Sequence, residues 1–160
     1  MESYILAFDI GTDMGWTCRF DKTGKHISGE WDLSGNRFEG GGMRFLKFKS
    51  ELKKILDLNG PPRFITYEEV RGHLGTDAAH IYGGFQAILT DYCEEEGIPY
   101  NAYPVGTVKK FATGKGNASK KKMVKAANEK WDKKFTVKNN ENEVDARWVG
   151  ELAFDKMGAT

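Results

Sequence analysis

The chain lacks the features that would take it out of a reducing aqueous compartment. It has only two cysteines, Cys18 and Cys93, and their spacing suits no metal site. A disulfide between them is left open, but a reduced intracellular protein is the simpler expectation. No run of 18 apolar residues occurs, so no membrane span is expected. The first residues show no basic segment followed by an apolar one, so no signal peptide is expected. Excess charge is absent too: the formal net charge is +1, which removes any global pull toward nucleic acid. No internal repeat or domain boundary is visible. The 160 residues, 39% hydrophobic and 29% charged, suit one domain with a substantial core.

What is present is ordered around the first apolar run, Tyr4-Ile5-Leu6-Ala7-Phe8, which ends in Asp9. Such a run predicts a strand buried on both faces. Gly11 to Gly15 predicts a tight turn and Trp16 to Phe20 a returning strand, with a third strand over 25–33. Phe45, Phe48, Leu52 and Ile55 recur at helical spacing and predict a helix stopped by Asn59-Gly60-Pro61-Pro62. Arg63 to Tyr67 predicts a fourth strand, ending in Glu68-Glu69-Val70. Asp77 is expected to cap a helix reaching Glu96. Its packing positions would include Ala79, Tyr82, Gly83, Gln86, Ala87, Leu89 and Tyr92, with Gly83-Gly84 permitting a close approach. Tyr100 to Pro104 predicts a fifth strand, and Thr107 to Phe111 begins another helix. Ser119 would cap a helix over 120–131 with Met123, Ala126, Ala127 and the stem of Lys130 inward. Residues 133–140 read as a polar linker before a last helix from about Asn142 to Met157. A meander followed by alternating strands and helices is a mixed α/β sheet.

Two of these strands end in acid, Asp9 and Glu68, and Asp145 falls in the first turn expected of the last helix. Each acid alone has an ordinary explanation, as a turn residue, a solvated strand end or a helix N-terminal charge. If the first and fourth strands are parallel neighbours, however, Asp9 and Glu68 lie side by side and repel. A divalent cation removes that penalty. Three carboxylates suit Mg²⁺, which takes oxygen ligands and keeps some of its waters. A second uneven feature is charge. Residues 109–138 hold eleven lysines against Glu129 and Asp132. The ordinary explanation is a solvated helix face, but Lys109, Lys110, Lys115, Lys120 and Lys121, interrupted by Gly114, Gly116 and Asn117, suit contacts to phosphates.

Taken in order, four segments resemble the RuvC family of Holliday junction resolvases, within the RNase H-like superfamily. They are Leu6-Ala7-Phe8-Asp9-Ile10-Gly11, Tyr67-Glu68-Glu69-Val70, the basic stretch Val108-Lys109-Lys110 with Gly114 to Lys120, and Asn142-Glu143-Val144-Asp145-Ala146. The resemblance implies one RNase H-like domain over 1–160. Its fold class would be α/β, with a mixed five-stranded sheet, antiparallel meander plus parallel strands, flanked by helices. It implies a magnesium-dependent endonuclease that nicks two opposed strands of a four-way junction, as a homodimer. Two Mg²⁺ ions, with Mn²⁺ as a substitute, would sit on Asp9, Glu68 and Asp145, and Lys109 and Lys120 would touch the DNA backbone. The small and aromatic residues from Ala78 to Glu96 offer a dimer surface. The short chain and its final acidic motif are similar to phage-borne relatives, which implies the cytoplasm of a bacterial cell or an infected host.

The chain also departs from the family pattern. Where the family has Asp or His three residues before the last acid, this chain has Asn142, with Glu141 and Glu143 on either side. On a regular helix Asn142 and Glu141 share a face with Asp145 while Glu143 points away. A helix beginning only at Glu143 would weaken that objection. Asn142 and Glu143 are both candidate ligands, Glu143 ahead for its charge and a candidate catalytic residue. The family's aromatic wedge after the second acid has no counterpart, and Arg71 stands there as a candidate DNA contact. These departures keep open a junction-binding protein without catalysis, and a nuclease for flaps or RNA–DNA hybrids. A fragment of an actin-like ATPase is a remote alternative. Asp9-Ile10-Gly11-Thr12 resembles that family's first phosphate loop, but no second loop follows.

Overall fold

The computed structural model describes residues 2–36, 40–70, 72 and 75–158. Five strands and five helices follow one another as β1 (Tyr4–Asp9), β2 (Asp13–Phe20), β3 (His26–Asp32), α1 (Met43–Asn59), β4 (Phe64–Glu69), α2 (Thr76–Glu96), β5 (Tyr100–Pro104), α3 (Val105–Thr113), α4 (Lys120–Trp131) and α5 (Val137–Met157). The strands form one sheet in the order β3-β2-β1-β4-β5. β1 lies at its centre, antiparallel to β2 and parallel to β4, and β4 is parallel to β5. The mixed five-stranded sheet expected from the sequence is therefore the one observed.

Both faces of the sheet are covered, and the two-residue alternation of β1 divides its side chains between them. Tyr4, Leu6, Phe8 and Ile10 pack with α1 and α2. There Phe8, Phe48 and Phe85 are fully buried and stack edge to face, with centroids 5.9 Å and 5.5 Å apart. Ala7 packs with α3, α4 and α5, and Ile5 lies against Phe64 and Ala153. Asp9 continues the Ile5–Ala7 side and so faces α5. Cys18 and Cys93 are buried and unpaired. Among the described residues no helix is long and apolar enough to cross a membrane.

Several element boundaries differ from the sequence expectation. β2 begins at Asp13 rather than Trp16, because its pairing with β3 runs from Asp13 opposite Asp32. Asp77 does not cap α2. The cap position is Gly75, and Asp77 lies in the first turn, where its charge suits the helix dipole. The buried face of α2 is Tyr82, Phe85, Leu89 and Cys93, so its face is rotated from the expected one. Gly84 supplies the close approach: a Cβ there would lie 2.5 Å from the Phe45 ring, whereas Gly83 has open space. Ser119 does cap α4, its hydroxyl accepting from the Lys122 N–H at 3.2 Å. The inner face of α4 takes Val124 with Met123 and Ala127, and Lys130 is exposed. The largest difference is α5. It begins at Val137, capped by Thr136, so only five residues separate it from α4.

α5 lies unusually close to the sheet. A Cβ on Gly150 would approach the Thr17 methyl to 3.1 Å, and one on Gly15 would lie 1.8 Å from the Asn142 carbonyl oxygen. Only glycine lets backbone meet backbone at that second point. Farther along, α5 is held by buried polar contacts. His26 bridges Thr17 and Glu151, at 2.7 Å and 2.8 Å, and Arg19 donates to the same Glu151 oxygen at 3.1 Å. Burial works against the Glu151 charge, but the bonds from His26 and Arg19 prevail and hold its pKa below the ordinary value. Burial, aided by Arg147 and Arg19, holds the His26 pKa down despite Glu151.

Candidate active site

The strand ends build the site. β1 and β4 run parallel, with Phe8 opposite Tyr67. Their next residues, Asp9 and Glu68, therefore emerge side by side at the carboxyl edge of the sheet, the usual place for ligands in open α/β sheets. Both point toward α5. Glu68 shares the face of Thr66, which bonds Asn101 at 2.8 Å, while Glu69 takes the opposite face. α5 brings Asp145 down over this pair.

Electrostatics place the three acids within one another's field. Burial raises the Asp9 pKa well above the ordinary value, and the charges of Asp145, Glu68, Glu141 and Glu30 raise it further. Asp145 is pushed up to about 7 by burial, then by Glu68 and Glu141, against the opposing pull of Lys120 and Lys109. Glu68 is raised by burial, with Lys109 opposing. Carboxylates that bind protons this tightly are short of positive charge, and a divalent cation would supply it. The donor set is all oxygen, as Mg²⁺ prefers. Among the described residues no three acidic, histidine or cysteine side chains close into a ready-made cage.

The fourth acid near this group is Glu141. Because α5 begins at Val137, the regular helical phase applies: Glu141 precedes Asp145 by one turn and shares its face. Glu141 adds to the field on Asp9 and Asp145 and pairs with Lys120 at 3.1 Å. Glu143, expected as the leading fourth ligand, is turned toward β3. Its carboxylate accepts from the Ser28 hydroxyl at 2.6 Å and from the Asn140 amide at 3.2 Å. This placement follows from the helix start: with α5 regular from Val137, Glu143 lies on the side of the helix that meets β3. Asn142 sits where the helix backbone presses on Gly15, and its N–H donates to Glu30.

The basic segment divides. Lys109, half-buried on α3, and Lys120, exposed at the start of α4, both act on Asp145. The hydrogen bond to Glu141 raises the pKa of Lys120. Lys110, Lys115 and Lys121 are exposed along the same segment. Arg71 lies outside the described residues. Helical spacing already pointed to Glu141. Glu30 had no such signal, because only the strand register brings it to the site.

No family model and no curated protein matches this chain. Solved structures do. Thermus thermophilus RuvC aligns over 98% of this chain and 97% of its own, with a TM-score of 0.74 and 18% identity. T. thermophilus RuvC in complex with Holliday junction substrate gives a TM-score of 0.78 at 18% identity, over 98% and 96% of the two chains. The yeast mitochondrial Holliday junction resolvase Ydc2 gives 0.60 at 13% identity, over 93% of this chain and 76% of that one. At these identities the likeness is one of fold: the chain has the mixed RNase H-like architecture of the RuvC structures.

Proposed function

We propose that this chain is a metal-dependent endonuclease that resolves four-way DNA junctions by paired phosphodiester hydrolysis. One observation carries the reading. Asp9, Glu68 and Asp145 meet at the carboxyl edge of the sheet, each with its pKa raised by burial, with Lys109 and Lys120 acting on the same group. The fold shared with RuvC and Ydc2 over most of the chain supports it.

In this reading Asp9, Glu68 and Asp145 hold the metal, with Glu141 beside them and Asn142 at the edge. Two bound Mg²⁺ ions, or Mn²⁺ in their place, supply activation of a water for in-line attack and charge stabilisation at the departing 3′ oxygen. Lys109 and Lys120 hold the DNA backbone against the acids, and Lys110, Lys115 and Lys121 extend the contact along neighbouring phosphates. Two copies of the chain, paired through α2, would match the two-fold symmetry of the junction. The setting would be the cytoplasm of a bacterium or of a phage-infected host, in DNA recombination or repair.

The test is incubation with a mobile four-way junction, a flap and linear duplex, in Mg²⁺ or EDTA, beside Asp9→Asn. Symmetric nicks in the junction alone, lost in EDTA and in D9N while binding persists, are expected. Normal cutting by D9N would remove Asp9 from the site. Cleavage of every branched substrate would make the protein a general debranching nuclease. A second reading, junction binding without cleavage, is favoured by Asn142, which stands where the family has an acid or histidine, and by Glu143 facing β3. Binding with no metal-dependent nick would establish it.

A further inference from the structure

Asp9, Gly15 and Glu30 form one row across β1, β2 and β3, directly opposite one another in the ladder. Opposed residues of antiparallel strands share a face, so all three point toward α5. Gly15, in the middle, leaves room for the α5 backbone at Asn142. Glu30 closes over that point: one carboxylate oxygen accepts from the N–H of Asn142 at 2.8 Å and of Glu143 at 3.0 Å. These donors lie well inside α5, where helix N–H groups ordinarily bond to carbonyls four residues back. Glu30 is therefore a cap applied to the interior of a helix, from a strand two removed from β1.

We propose that Glu30 is a positioning residue that fixes the turn carrying Glu141, Asn142 and Asp145 over the strand ends, and so sets the affinity of the acidic group for a divalent cation. The metal part of this inference rests on the reading under Proposed function. The other β3 contacts do not substitute for it. Ser28 bonds Glu143 and Arg147 through side chains, and His26 bonds Glu151 two turns on. They hold the body of α5, whereas Glu30 holds the backbone of its acid-bearing turn. The placement also has an electrostatic cost, because the Glu30 charge adds to the field on Asp9. An acceptor oxygen is what the position needs, and glutamine supplies one without the charge.

The experiment compares Glu30→Ala and Glu30→Gln with the unaltered full-length chain. Amide hydrogen exchange at Asn142 and Glu143 is followed by NMR, and Mn²⁺ binding is followed by calorimetry without DNA. E30A is expected to speed exchange at both amides at least about tenfold. It is expected to weaken Mn²⁺ binding about tenfold, the scale of one lost hydrogen bond to a charged group. E30Q should stay within about twofold of the parent in both measurements, through the same acceptor bonds. Unchanged exchange in E30A overturns the positioning role, whatever the metal does. Faster exchange with unchanged Mn²⁺ affinity overturns the link to the cation. E30Q behaving like E30A would mean that charge, not placement, is what Glu30 contributes. If the unaltered chain binds no Mn²⁺, the metal reading of the acids falls, and the exchange data alone decide whether Glu30 fixes the turn.

Discussion

Gly15→Ala tests the geometry on which the site depends. The added methyl carbon would lie 1.8 Å from the Asn142 carbonyl oxygen and 2.2 Å from its carbonyl carbon. Neither atom can rotate away, because both belong to helix backbone. Carbon and oxygen approach no closer than about 3.3 Å in ordinary contacts, so the start of α5 must rise by about 1.5 Å. That shift breaks both bonds from Glu30 to the Asn142 and Glu143 N–H groups. Each is worth about 0.5–1.5 kcal/mol net, and overpacking adds about 1–3 kcal/mol. A loss of about 2–6 kcal/mol follows, which a domain of ordinary stability survives. For a chain of this size it lowers Tm by about 4–24 °C. The shift also carries Asp145 away from Asp9 and Glu68, and a misplacement of about 1 Å at a reacting centre costs on the order of 100-fold in rate. Urea and thermal unfolding measure the first effect, and junction cleavage against Mg²⁺ concentration the second. The double variant with Glu30→Ala should lose less than the two singles together, since both break the same contact. A G15A protein that melts with the parent and cuts at the parental rate would refute the close approach of α5 to β2 and the argument built on it.

Other consequences can be checked as directly. Asp145 titrates near 7 in the folded chain and from 3.8 as its ordinary value. In EDTA the folded state therefore holds the extra proton between about pH 4 and 7, and the Asp145 contribution to stability falls as pH rises through that window. The parent should lose stability relative to Asp145→Asn from pH 4 to 7 in urea titrations; a flat difference would contradict the burial and charge crowding described for this acid. Lys109→Ala and Lys120→Ala should each reduce the slope of log affinity for a four-way junction against log salt by about one phosphate contact, and an unchanged slope would take that lysine off the DNA. On α2, Gly83→Ala should stabilise by about 0.5–1 kcal/mol, because nothing lies within 4 Å of its new methyl, while Gly84→Ala should destabilise by about 1–3 kcal/mol against the Phe45 ring. Equal effects in chemical denaturation would argue against the α1–α2 packing.

The sequence by itself determined the elements and marked the acids at the strand ends. The unbroken run Tyr4 to Phe8 could only be a strand buried on both sides, and the acids closing it and the run before Glu68 were visible as costly residues at strand ends. The family resemblance picked Glu68 over Glu69, and period-two alternation in β4 sets Glu68 on the Thr66 face. Ser119 was legible as a cap because capping is local, decided within a few residues. The tertiary structure alone decided what depends on register and helix phase. Thr136 starts α5 five residues before the acidic motif demands, and that phase turns Glu141 toward Asp145 and Glu143 toward Ser28. The same holds for Gly15 and Glu30, two unremarkable residues in sequence. The pairing of β1, β2 and β3 sets them in one row with Asp9, and the glycine's missing side chain then admits the helix backbone. Local chemistry names the groups that can carry a charge, but only the packed sheet and helix bring Asp9, Glu68, Asp145 and Glu141 into one another's field.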